Sequence, residues 1–243
     1  MVASTPIIGK NRARTADVGL RRPPISALLL YGGWKGHSPT DMADFAAEHL
    51  LGGFDTVRSS DLDSLNPETL SEVDLLLPIW TFGKLTRKQE TALLDAVAGG
   101  MGMMALHGNA SSFLDSRPHK FMLGGQFVGH PGGNEITYAV TFLGNDPLVE
   151  GLDDITITSE QYYLLIDPAV KVLATTIVDG GDLEWLRGVQ MPVAWKRTWG
   201  NGRVFYCALG HSVDVLENAS VSALLKRAVR WATAVSPPHR GGG

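Results

Sequence analysis

The 243-residue chain has a single cysteine, Cys207, which leaves no internal disulfide and no cysteine-rich metal centre. No apolar run approaches the ~20 residues needed to span a bilayer, so a membrane partner is not expected. The Walker and G-x-G-x-x-G spacings are missing. Gly32-Gly33 followed by Gly36 matches neither, so no nucleotide cofactor is expected. There is no H-E-x-x-H pair, no internal repeat and no secretory apolar core, and a cytoplasmic protein is expected.

Charge is also scarce, with a formal net of −4. Lys10, Arg12, Arg14, Arg21 and Arg22 against Asp17 make residues 10–22 locally basic, so the remainder is mildly acidic and a nucleic-acid partner is not expected. Before Pro23 no hydrophobic periodicity appears, so residues 1–24 read as a disordered basic leader and 236–243 as a flexible tail. Residues 25–235 read as a single domain, because no linker interrupts their alternating strands and helices.

What the chain does have is histidine in a repeated setting. His37, His107, His130 and His211 each follow a short apolar run beside glycine, in YGGWKGH, MMALHGN, GQFVGHPGG and YCALGH. Strands ending in such residues, separated by helices, gather imidazoles along one sheet edge. Open α/β sheets bind ligands there, at the carboxyl ends of their strands.

The first half reads as alternating strands and helices. SALLLYG (26–32), FDTVR (54–58), DLLLPIW (74–80) and MGMMAL (101–106) are the strands, short and apolar as in a buried parallel sheet. Ser38, Pro39 and Asp41 carry a capping-box spacing for the first helix, with Met42, Phe45, Ala46 and Leu50 inward. Thr86 and Gln89 open a later helix that Gly99-Gly100 ends. The second half changes character. Residues 136–142, 155–165 and 171–178 read as antiparallel or mixed strands, and 191–199 with 203–209 as a hairpin about Gly200-Asn201-Gly202. Asn218 caps a last helix with Val221, Leu224, Leu225, Ala228 and Trp231 inward. The fold class is therefore α/β, a largely parallel central sheet with added antiparallel strands. Exposed edge strands in the second half point to a homodimer.

His107 stands where related sheet folds turn sharply and place a nucleophile, yet Ala-Leu-His-Gly-Asn offers neither Ser nor Cys. Nucleophilic acyl transfer is thereby disfavoured. Neutral imidazoles with the carboxylate of Glu160 suit a divalent metal, zinc first, with His37, His107 and His211 as ligands or oxyanion stabilisers. Without metal the same groups serve as general acid and base, with Glu160 or His130 as the base. Trp34, Trp80 and Trp199 could stack on a sugar ring, Arg203 could hold a polyhydroxyl ligand, and at most one of Tyr162 and Tyr163 reaches the site, with Tyr162 taken as the substrate-binding one.

Five segments, GGWKGHSP, GMGMMALHG, LGGQFVGHP, SEQYYLL and PVAWKRTWGNGRVFYCALGH, resemble in order the motifs of the ThuA-like (trehalose utilisation) family. The resemblance covers roughly Ser26 to Ala234. It implies a fold similar to class I glutamine amidotransferases, a flavodoxin-like three-layer sandwich, but the elbow cysteine of those enzymes is absent. It also implies disaccharide catabolism beside oxidoreductases that make 3-keto sugars. On that reading the substrate is a keto-glycoside such as 3-ketotrehalose, and the chemistry is isomerisation or elimination. The alternative is a non-catalytic carbohydrate-binding or scaffold protein on the same fold.

Overall fold

The computed structural model describes residues 25–234, so the leader and tail expected from the sequence lie outside the described residues. Within them, eleven strands and six α-helices form a three-layer α/β domain. Strands β1 (Ser26–Gly33), β2 (Asp55–Ser59), β3 (Leu75–Thr81) and β4 (Gly102–Leu106) alternate with helices α1 (Pro39–Phe45), α2 (Pro67–Ser71) and α3 (Arg87–Gly99). Helix α4 (Arg117–Leu123) and β5 (Gly125–Gly129) follow, then β6 (Ile136–Phe142), β7 (Ile155–Ser159), β8 (Tyr163–Ile166) and β9 (Lys171–Ile177). The hairpin β10 (Gln190–Trp199) and β11 (Gly202–Cys207) leads into α5 (Val213–Glu217) and α6 (Ala219–Thr233).

Nine strands make one sheet in the order β2-β1-β3-β4-β11-β10-β9-β6-β7, while β5 and β8 form a separate pair. From β2 to β11 the neighbours are parallel, and from β11 to β7 antiparallel. The parallel strands are apolar throughout because both their faces are covered. Leu28, Leu29 and Leu30 on β1 and Leu75, Leu76 and Leu77 on β3 are buried. Helices α1, α5 and α6 pack together on one face, and α2, α3 and α4 pack together on the other. Because β1 lies between β2 and β3, the chain reverses direction across the sheet there. That leaves a crevice outside the carboxyl ends of β1 and β3, where doubly wound folds hold ligands.

Local signals are mostly realised. Thr86 and Gln89 form a reciprocal capping box on α3, and the Asn218 side chain accepts from the amides of Ser220 and Val221. The capping box expected at Ser38 is not formed. Ser38 takes a left-handed φ of 41° and makes no side-chain cap, because a 3-10 turn over Lys35–His37 runs directly into α1. Residues 155–165 are not one strand. They break at Glu160, Gln161 and Tyr162, sending β7 into the main sheet and β8 into the small one. Among the described residues no helix is long and apolar enough to cross a membrane.

One buried group has a consequence for acid stability. His119 on α4 is buried, and neither ring nitrogen meets a hydrogen-bond partner. Burial, reinforced by the charge of Lys120, pushes its pKa down to about 3. Above pH 6.5 the imidazole is neutral whether folded or unfolded. As pH falls from there toward 3, only the unfolded chain takes up the proton, so stability is lost. His119→Leu is expected to lessen that loss by on the order of 2–3 kcal/mol at pH 4.5, read from urea melts at pH 7 and pH 4.5.

Candidate functional site

Three of the four singled-out histidines follow the carboxyl ends of parallel strands in the main sheet, β1, β4 and β11. His37 lies in the turn after β1, His107 directly after β4, and His211 four residues beyond β11. His130 follows β5 and so comes from the small sheet, folded over the same end. Glu160 sits in the break between β7 and β8, and all four imidazoles converge on its carboxylate.

The carboxylate is asymmetrically used. Its Oε2 lies 3.1 Å from His107 Nε2, 3.4 Å from His211 Nδ1 and 3.9 Å from His37 Nε2. Its Oε1 faces His130 Nε2 at 3.8 Å. One ligand-type atom from each of His37, His107, Glu160 and His211 falls within 4.8 Å of all the others. His107 and Glu160 are 2% and 4% exposed, so this constellation is closed off from bulk solvent at its base.

Neighbouring groups fix two of the rings. His107 Nδ1 donates to the Ala208 carbonyl at 2.7 Å, and Tyr206 Oη donates to the His107 carbonyl at 2.8 Å. His37 Nδ1 pairs with Thr81 Oγ1 at 2.9 Å, which ties the ends of β1 and β3 together. Tyr162 Oη donates to His107 Nε2 at 2.8 Å, and its ring stacks on that imidazole at 4.3 Å. Glu160 is held from behind. Tyr138 Oη donates to its carbonyl at 2.9 Å, and the Gln161 amide donates to Thr176 Oγ1 and the Ile177 carbonyl. Lys120 Nζ donates to the Ala110 and Ser112 carbonyls, pinning the 3-10 turn that begins at His107.

Burial lowers the pKa of His37 to about 4, helped by the field of His107, and it lowers His107 too. Burial acts the other way on Glu160, but the His107 hydrogen bond and the fields of His107, His211 and His130 outweigh it, and the carboxyl is held at about 2. Burial and the Glu160 charge keep Tyr162 protonated. At neutral pH the pocket therefore presents one anion beside two imidazoles, His37 and His107, that resist protonation. Because His107 spends its Nδ1 proton on the Ala208 carbonyl, Nε2 of the neutral ring is an acceptor, which takes the Tyr162 hydroxyl and faces Glu160 at 3.1 Å. The Tyr162 hydroxyl supplies the proton beside these two acceptors, and a divalent ion held there would take its place.

Backbone strain marks the same place. The non-glycine residues with left-handed φ among those described are Ser38, Phe82, His107 and Phe113. Ser38 follows His37, and the Phe113 amide donates to the Phe82 carbonyl beside the β3 end. Such conformations are costly for side chains of this size and persist where the surroundings enforce them.

The remaining candidates divide. Trp34 stands at the rim, its ring edge-on to His37 at 4.7 Å. Tyr162 reaches the site, whereas Tyr163 begins β8. Trp80 precedes Thr81 and lies on the other face of β3, over Gly32 and Gly83 and away from the imidazoles. Arg203 is not brought to the site. It pairs at the opposite end of the sheet, donating to the Trp231 carbonyl at 2.8 Å, because β11 runs parallel to β4 and its start lies far from His107. Thr81, Phe82, Tyr138 and Gln161 are site residues that sequence reasoning missed. Only Thr81 carried a signal, as the last residue of a buried strand. A cleft of about 670 Å³ between α2 and α3 is lined by no histidine or cysteine.

The ThuA family model, described as trehalose utilisation, matches residues 26–232. A ThuA-like protein from Parabacteroides merdae is similar in structure, with a TM-score of 0.70 at 17% identity over 88% of this chain and 92% of that one. A second, from Bacteroides uniformis, gives 0.70 at 20% identity over 89% and 95%. A β-galactosidase from Bacillus circulans sp. alkalophilus aligns over 88% of this chain but 32% of its own, with a TM-score of 0.56 at 12% identity. No curated protein matches the sequence.

Proposed function

Because the chain belongs to the ThuA, or trehalose utilisation, family, we propose that it is an enzyme acting on a keto-glycoside of the 3-ketotrehalose class by proton transfer at the histidine and glutamate pocket. The observation that carries this reading is the convergence of four imidazoles on one buried carboxylate. A carbonyl at C3 of a sugar acidifies the neighbouring C–H bonds. A base that removes such a proton, and donors that steady the oxygen as it gains charge, are the parts the reaction needs.

The residues fit a divalent cation. His37, His107, His211 and Glu160 offer three nitrogens and one oxygen, a donor set suited to zinc, and the Ala208 carbonyl and Thr81 hydroxyl orient two of the rings from behind. When bound, the ion supplies positive charge against the developing oxyanion. With Glu160 Oε2 turned toward the three rings, His130 is the base in this reading. It stands on the Oε1 side, more exposed than His107, and it can move a proton between carbon positions or onto a leaving group. The buried hydroxyl of Tyr162 stays protonated, and its ring stacks on His107.

Incubating the purified protein with 3-ketotrehalose and following the sugar by NMR tests this. The expected result is conversion to an isomer or an elimination product, suppressed by chelator and restored by zinc. Unchanged substrate under all three conditions would overturn the catalytic reading, and tight binding without turnover would favour a carbohydrate-binding protein.

A further inference from the structure

Outside the pocket base, two aromatic rings lie half exposed at its rim. Trp34 is 47% and Phe82 48% exposed, although both follow strands of the buried core. Their ring centroids are 6.0 Å apart and tilted by 51°, so they form an open angle rather than a packed stack. Neither ring is loosely placed. A Cβ on Gly36 would lie 2.4 Å from the Trp34 ring, so that backbone presses directly against the indole, and the edge-on contact with His37 fixes it from the side. The Trp34 amide donates to the Thr81 carbonyl at 3.2 Å. Phe82 holds a φ of 64°, a conformation that a bulky aromatic residue rarely adopts. Exposed apolar area on rigid, strained backbone beside a polar pocket is a binding feature, because no folding advantage explains it.

Pyranose rings match this surface. Their faces carry patches of C–H groups that pack on aromatic rings, while their hydroxyls point outward around the ring and remain solvated. The pocket base, made of imidazoles and a carboxylate, suits the polar edge of a reacting ring instead. We propose that Trp34 and Phe82 form a second sugar subsite, which takes the non-reacting ring of a disaccharide whose keto ring lies over Glu160. This inference rests on the keto-glycoside reading and assigns the disaccharide preference to a specific pair of residues. Phe82 is the specificity element. Trp34 adjoins His37 and borders both subsites, whereas Phe82 touches Trp34 alone among the pocket's aromatic rings.

The test separates binding from chemistry by calorimetry in a Glu160→Gln background, where turnover is slow. The probes are 3-ketotrehalose and methyl 3-keto-α-glucoside, which lacks the second ring. The parent is expected to bind the disaccharide about tenfold more tightly than the methyl glycoside. Phe82→Leu and Trp34→Leu, made singly so that misfolding of one leaves the other, each abolish that difference. Phe121→Leu, at an exposed aromatic position whose carbonyl is held by Arg197 toward the opposite end of the sheet, preserves it. Equal affinities for the two sugars in the parent, no binding of either, or an unchanged ratio in both rim variants would overturn the subsite. Rim-dependent binding together with a wild-type protein that leaves 3-ketotrehalose unchanged would uphold the subsite and overturn only the catalytic reading.

Discussion

Replacing Glu160 by Gln is expected to lower turnover of 3-ketotrehalose by about 10²- to 10⁴-fold, the range for loss of a positioned acid–base or charge-bearing group. The substitution keeps the shape of the side chain and removes its charge. Every imidazole in the pocket is oriented toward that charge, at separations from 3.1 to 3.9 Å. An amide in its place is a neutral and weaker ligand, while His107 keeps its bonds to Ala208 and Tyr162. The variant should therefore fold well when free of metal and gain little from zinc. Wild type is expected to melt higher as zinc is added, because a ligand that binds only the folded state stabilises it by mass action. Thermal melts with chelator and with zinc, run beside turnover assays, check both halves. Zinc stabilisation of the variant equal to that of wild type would remove Glu160 from the ligand set.

Gly108→Ala should be nearly as damaging, although glycine here carries no chemistry. A Cβ at this position would lie 2.0 Å from Thr81 Oγ1 and 2.7 Å from His37 Nδ1. Those two atoms form the bond that orients His37, so the methyl group strikes the hinge between the β1 and β3 ends. Overpacking of this kind costs about 1–3 kcal/mol, and the displaced imidazole is expected to lower turnover at least about tenfold. Adding Thr81→Ala removes the closest clash but not the contact with His37. The double variant should regain most of the lost stability and little of the lost turnover. Recovery of both together would mean that His37 orientation does not matter to the reaction.

The parallel half of the fold was readable because its strands are buried on both faces and its helices carry their own start and stop signals. Leu28–Leu30 and the Thr86 and Gln89 box required no tertiary context. The convergence of His37, His107 and His211 was also legible, since a residue that follows a parallel strand has only one edge to occupy. Three features were not. Arg203 read as a candidate from its chemistry, but strand direction put it at the far end of the sheet, and direction emerges only from pairing. The separate β5–β8 sheet, which brings His130 over the pocket, depends on a strand break at Glu160–Tyr162, where the local pattern reads as continuous strand. Ser38 has the residue type of a cap, but the preceding 3-10 turn forces it into a left-handed conformation. In each case a long-range constraint overrode a local preference.

The central claim is that His37, His107, His211 and Glu160 act as one ligand set, and elemental analysis of the purified protein tests it most directly. Wild type is expected to carry one divalent ion per chain, zinc foremost, and His107→Ala to lose it, while Arg203→Ala, altered at the opposite end of the sheet, retains it. A wild-type protein free of metal after purification without chelator and after incubation with zinc would contradict the account. So would an ion still bound when His107 is gone.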